Sequence, residues 1–271
     1  MVVILITVLA VAVSGSGHGS SRATTRAAAV SHGLAPTRAR VGENRQDEVV
    51  ASVLKYTPFV KEGGSRGNDV ALTFDDGPGP YTPRVLSVLE HYGVHATFFA
   101  IGAMERYFSA STLREIRDGD VIGDHTETHP MMARLSAADQ HEELYEQIAR
   151  IELLGGQRPV LFRPPYGSFD ATTMNELHKL HLLMVLWSVD TDDYQQPGVP
   201  AIVERALAGA RPGAIILLHD AGGTRTQTIE ALPAIIRGIR AKGLRLVTVP
   251  QLLRDDPPPA GQPLPPNLSG D

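Results

Sequence analysis

The chain has 271 residues, 42% hydrophobic and 20% charged, a composition that fits a globular protein with a core and excludes a disordered, collagenous or coiled-coil chain. Twenty-five basic against 30 acidic residues leave a formal charge of −5, which provides no general field for the phosphates of a nucleic acid. With no cysteine there is no disulfide framework, thiolate metal site or cysteine nucleophile, so any metal must be held by His, Asp or Glu.

The chain opens on an apolar run, Val2 to Val13, followed by Ser14, Gly15, Ser16 and Gly17. Residues 1–13 read as an export signal peptide or, uncleaved, a short membrane anchor, because about 12 helical residues span about 18 Å of a hydrocarbon core of about 30 Å. Export places the protein outside the cell or on the outer face of its envelope. No basic residue precedes the run, as one usually does in such a signal. Residues 14–46 are rich in Ser, Gly, Ala, Thr and Arg without periodicity and read as a disordered linker. Arg22, Arg26, Arg38, Arg40 and Arg45 stand there against Glu43 alone, a basic leash suited to an anionic wall or membrane surface, or simply a soluble spacer. Residues 47–256 are expected to form one domain, functioning as a monomer, and the proline-rich residues 257–271 an extended, disordered tail.

Inside that domain, short apolar runs alternate with stretches of helical periodicity. Strands are expected at Val70–Phe74, Ala96–Ala100, Val121–Gly123, Val160–Phe162, Leu183–Trp187, Ala214–Leu218 and Leu244–Val247. Helices are expected at Pro83–Tyr92, Glu105–Asp118, Ala137–Leu154 and Thr226–Lys242. About seven βα units without a nucleotide-type glycine fingerprint predict an α/β fold, a distorted (β/α) barrel of parallel strands rather than an open doubly wound sheet. Chemistry in such a barrel sits at the C-terminal ends of the strands.

Five polar segments follow predicted strands. Asp75 and Asp76 leave the first strand side by side, and adjacent carboxylates there need a cation or hydrogen bonds to offset their repulsion; a plain Asp-Gly-Pro turn is the structural alternative. His125 and His129 follow the third strand, where two imidazoles and a carboxylate can bind a divalent ion and leave a position open. His91 and His95 share that spacing, but Gly93 between them reads as a helix C-cap, so the pair is not expected to converge. Arg163, Pro164, Pro165 and Tyr166 offer a guanidinium and a fixed backbone N–H to an anion, or form a rigid connector. Trp187 precedes an acidic stretch of Asp190, Asp192, Asp193 and Tyr194, which can orient a histidine, bind a second cation or stay solvated. His219 closes the sixth strand after Leu217 and Leu218. The coincidence of all five with strand ends points to metal-assisted hydrolysis.

In order, TFDDGP at Thr73, HTETH at His125, RPPYG at Arg163, DTDDY at Asp190 and LLHD at Leu217 resemble the five motifs of the polysaccharide deacetylases, carbohydrate esterase family 4. The likeness spans about residues 66 to 250, and five ordered motifs are highly specific. The resemblance implies a distorted (β/α) barrel that removes N-acetyl groups from the amino sugars of peptidoglycan or chitin. It implies Asp75 as general base, Asp76, His125 and His129 as metal ligands, and Arg163 as the group holding the base. It further implies the Tyr166 N–H as oxyanion donor and His219 as general acid tuned by Asp193, with Tyr166, Tyr194, Leu217 and Trp187 against substrate. Tyr194 stands where the family commonly has tryptophan, which bears on substrate fit. Zinc is the default ion, with cobalt, manganese and nickel compatible with the donor set. The same motifs fit an O-acetyl esterase of the fold, and a non-catalytic wall binder is the remaining rival.

Overall fold

The computed structural model describes residues 38–264. The expectations for 1–13, for most of 14–46 and for the end of the tail fall outside the described residues. Strand β2 (Asp69–Asp75) is the organising element. Its alternation sends Val70, Leu72 and Phe74 outward onto helices, while Ala71, Thr73 and Asp75 turn into the barrel. Strand β8 (Ile215–His219) pairs with it in parallel, setting Ile215, Leu217 and His219 beside Ala71, Thr73 and Asp75. On the other side lie β3 (Thr97–Ala100), β4 (Val121–Asp124), β5 (Leu161–Phe162) and β6 (Leu183–Val185), all parallel.

Among the described residues nine strands form the sheet, in the order β1-β6-β5-β4-β3-β2-β8-β7. Here β1 is Phe59–Val60, β7 is Val189–Asp190, and β9 (Arg245–Val247) pairs with β2 off this path. Only Leu186–Ser188 separates β6 from β7, so one bent segment pairs with β5 at its start and with β8 at its end. That double pairing draws the sheet round into the expected distorted (β/α) barrel. The two strands beyond the expected seven are β1 and β7. Each has two residues, too short for an alternation to be visible.

Helices α2 (Thr82–Tyr92), α3 (Gly102–Asp118), α4 (Ala137–Leu153) and α7 (Thr226–Ala241) lie where periodicity places them. Helix α2 stops at Gly93 with φ 57°, and Ser136 Oγ caps α4 by accepting from Asp139 N. Three more helices, α5 (Ala171–Leu180), α6 (Val199–Gly209) and α8 (Val249–Asp255), were not expected. Proline opens α6 and α8, where it fits a helix start but reads as a breaker in a linear scan.

Helix α1 (Arg38–Leu54) begins inside the stretch expected to be linker. Its Val50 and Val53 are buried with Leu252 and Leu253 of α8, and each such burial contributes about 1.5–3 kcal/mol, enough to dock a helix whose sequence looks polar. The tail is likewise tied down over its described part. Gln262 accepts from the N–H groups of Lys61 and Glu62 and donates to the Glu62 carbonyl, and Tyr56 donates to the Pro258 carbonyl. The proline pattern predicts an extended, disordered tail; up to Gln262 the chain is instead held by these bonds, of which the prolines carry no sign.

Candidate active site

The inward positions of β2, β3, β4, β5, β6 and β8 run from apolar at the base to charged at the C-terminal rim. Ala71, Leu161, Leu183 and Ile215 fill the base. Thr73, Phe99 and Leu217 lie above them, and Asp75, His125, Arg163 and His219 stand at the rim. Gly123 belongs to this arrangement because a Cβ there would strike the Phe99 ring. The Arg163 guanidinium packs over that same ring, 4.1 Å from its centroid.

Arg163 is fully buried, and each of its three guanidinium nitrogens donates. Nη1 donates to Asp75 Oδ1 at 2.7 Å and to Thr73 Oγ1 at 2.9 Å, while Nε and Nη2 donate to the carbonyls of Val185 and Leu186. Asp75 is thereby locked through one oxygen. Its other oxygen, Oδ2, lies 3.8 Å from His125 Nε2 and faces the cavity.

Asp76 follows in the left-handed region, φ 71°, which turns its carboxylate away from that of Asp75. Its Oδ1 is 3.1 Å from His129 Nε2 and 3.6 Å from His125 Nε2, and the three ligand atoms lie within 4.8 Å of one another. His125 Nδ1 is 2.7 Å from the Arg163 carbonyl, which can only accept, so Nδ1 carries the hydrogen and the Nε2 lone pair turns toward Asp76. Burial favours the neutral Asp76 acid, but the adjacent imidazoles of His125 and His129 and the charge of His219 outweigh it and hold the carboxyl well below the usual range. One ionised carboxylate and two imidazole nitrogens converging on a point fit a divalent ion with an open position. Among the described residues it is the one such convergence.

Across the cavity, His219 Nδ1 donates to Asp193 Oδ1 at 2.7 Å. Asp193 Oδ2 accepts from the His219 N–H and from Thr228 Oγ1. Burial works to lower the His219 pKa, but the hydrogen bond and charge of Asp193 outweigh it and raise it to about 9. The ring is therefore protonated at neutral pH, with Nε2 free to face the cavity.

A cavity of about 430 Å³ joins these groups. Asp75, Asp76, His125, His129 and His219 line it, as do Tyr166, Trp187, Tyr194 and Leu217. Arg163 and Asp193 stand behind it as buried supports. Tyr166 has φ 59°, and among the described residues its N–H has no protein acceptor. Its ring meets that of His129 edge-on at 4.6 Å, and Tyr194 meets His219 at 5.4 Å. His91 and His95 lie exposed at the end of α2, away from the site, as Gly93 predicts.

Sequence reasoning missed Thr73 and Thr228, which hold Arg163 and Asp193, and Arg225, which lines the cavity. It also passed over Glu127, which is buried, stands between His125 and His129 in the chain, and is paired with Arg150 and Arg106. A glutamate at the centre of HTETH is visible in sequence, but its partners lie in helices whose charges look like solvated faces.

The family model described as polysaccharide deacetylase matches residues 62–185. A chitooligosaccharide deacetylase of Sinorhizobium fredii is 35% identical over 210 residues, 73% of this chain and 98% of that protein. The peptidoglycan-N-acetylmuramic acid deacetylase PdaC of Bacillus subtilis is 35% identical over 184 residues, 68% of this chain, which spans only 38% of PdaC. Among solved structures, the Bc1960 peptidoglycan N-acetylglucosamine deacetylase superposes with a TM-score of 0.72 at 32% identity, covering 77% of this chain and 98% of that one. The chain belongs to the polysaccharide deacetylase family.

Proposed function

We propose that this polysaccharide deacetylase removes N-acetyl groups from the amino sugars of peptidoglycan or chitin, releasing acetate, with zinc as its ion. One observation carries the reading. A carboxylate locked by a buried arginine, Asp75, stands beside but outside a two-histidine, one-aspartate convergence, and a protonated histidine faces both across one cavity. A closed structural site would require neither flanking group.

A divalent ion held by Asp76, His125 and His129 would polarise the amide carbonyl and lower the pKa of a water molecule. Asp75 takes that water's proton on Oδ2, since Oδ1 is committed to Arg163. The Tyr166 N–H, left without a protein acceptor, donates to the oxygen on which negative charge develops. His219 gives its Nε2 proton to the departing amine, and Asp193 keeps the other nitrogen's hydrogen in place so that only Nε2 can donate. Leu217 and Trp187 supply an apolar wall for the acetyl methyl, while Tyr194 and Tyr166, both about half exposed, form the rim that meets the sugar.

The relatives named for peptidoglycan and for chitooligosaccharides support an N-acetylated glycan as substrate. The apolar residues 2–13 and the basic leash support export to where such polymers lie, at the cell wall or beyond it. The test is acetate release from an N-acetylglucosamine oligomer by chelator-treated protein before and after zinc is restored, with O-acetylated xylan in parallel. Release that stops with chelation and returns with zinc is expected. No release from the amide by a folded, zinc-loaded protein overturns the reading, and release from xylan alone replaces it with an ester hydrolase.

A further inference from the structure

The two ligand histidines are held in different ways. His125 continues β4, its N–H donates to the Ala100 carbonyl, and its ring is pinned by Nδ1 to the Arg163 carbonyl. For His129, among the described residues, Nδ1 has no partner, and the ring is packed edge-on by Tyr166 and His125 without a hydrogen bond from behind. The position of His129 is therefore set by the backbone of the loop that carries it. That backbone is strained, with Thr126 at φ 70° and His129 at φ 64°, conformations that persist only where the surroundings enforce them.

Those surroundings are α3 and α4. The first N–H groups of α3, on Gly102 and Ala103, donate to the carbonyls of Thr126 and Glu127 at 3.1 and 2.8 Å, using donors that a helix start leaves unpaired. On α4, Glu143, Gln147 and Arg150 follow at i, i+4 and i+7 on one face, with Glu143 and Arg150 bonded to the loop and Gln147 to the Ala100 carbonyl beneath it. Glu143 accepts from Thr128 through both carboxylate oxygens, from N at 2.7 Å and Oγ1 at 2.6 Å, and its carbonyl accepts the Glu127 N–H. Arg150 grips the buried Glu127 carboxylate by two bonds, Nε at 3.1 Å and Nη2 at 2.7 Å, and Arg106 of α3 adds a third at 2.9 Å. Gly102 belongs to this clamp, since a Cβ there would land on the Glu127 carboxylate. Every residue of the loop between the two ligands is thus held by an atom of α3 or α4 or by Asp124.

We propose that Glu127, Arg150 and Glu143 are positioning residues for the metal site, fixing the loop so that His129 meets the point set by Asp76 and His125. This rests on the reading of Asp76, His125 and His129 as metal ligands. Outer partners of metal ligands typically change affinity by about 10–100-fold, and a brace that acts on one ligand's backbone belongs in that range.

The test is zinc affinity of the full chain, measured by competition with a chromophoric chelator and needing no substrate. Arg150→Gln and Glu143→Gln should each weaken zinc by about 10–100-fold, Arg150→Lys should restore part of the loss, and the melting temperature of the zinc-free protein should change little in Glu143→Gln, whose carboxylate lies at the solvent edge. In a His129→Ala background, Arg150→Gln should weaken zinc no further, because the ligand it positions is gone. Wild-type affinity in the folded single variants overturns the proposal, as does an undiminished effect of Arg150→Gln in the His129→Ala background. If Arg150→Gln does not fold, Glu143→Gln, at the solvent edge of the clamp, decides alone. A wild-type chain that takes up no zinc instead overturns the metal-site reading itself.

Discussion

Asp75 and His219 are each locked to a buried partner of opposite charge, whereas Asp76, His125 and His129 point at one another and are held from behind by backbone and ring hydrogen bonds. The first pair is oriented by the protein alone. The trio brings three electron-rich atoms together, an arrangement that is costly without a cation between them. On the proposed function the difference is a division of labour: one half of the cavity would store and move protons, and the other would hold a Lewis acid. Substitutions in the two halves should therefore fail in different ways.

The largest effect is expected on the cation side. His125→Ala should abolish both bound zinc and acetate release, read by metal analysis of the purified protein alongside turnover; a variant that keeps one zinc per chain would remove His125 from the ligand set. On the proton side, Asp75→Asn should lower turnover by about 10² to 10⁴-fold while zinc stays bound. Arg163→Met strips the buried partner from Asp75 and should cost about 3–5 kcal/mol of folding stability, measured by denaturant titration. A loss below about 1 kcal/mol would mean that the pair is replaceable and not an anchor.

The His219 dyad makes the comparison sharper through pH. With its pKa raised to about 9, His219 holds its proton below that pH and loses it above, so turnover should fall on an alkaline limb near 9. Asp193→Asn removes the carboxylate that outweighs burial, so the limb should move to lower pH by about 2 units. An unmoved limb would assign the titration to another group. The smallest effect is expected at the rim: Tyr194→Trp should change KM for an N-acetylglucosamine oligomer by about threefold and leave kcat nearly unaltered.

Much of this site was legible because strand alternation and strand ends are local signals. Asp75 and His219 sit at inward positions that follow from counting by two along β2 and β8, and the five polar segments mark the rim of the barrel. What was not legible depends on distant partners. Thr228 comes to Asp193 from 35 residues away, and Arg150 reaches Glu127 across 23. On α4 a buried clamp and a solvated face have the same composition. The two-residue strands β1 and β7 escaped for a related reason, since a pairing that closes the barrel leaves no pattern in two residues. Helix α1 and the tail show the same limit at the base, where docking is decided by Val50, Val53 and Gln262 within otherwise polar stretches.

The division of labour is tested most directly by measuring bound zinc and acetate release on the same preparation of Asp75→Asn. The account predicts one zinc per chain with turnover reduced by about 10² to 10⁴-fold. Zinc lost together with activity would place Asp75 among the ligands, and full turnover with zinc retained would show that another group takes the proton; either result contradicts the account.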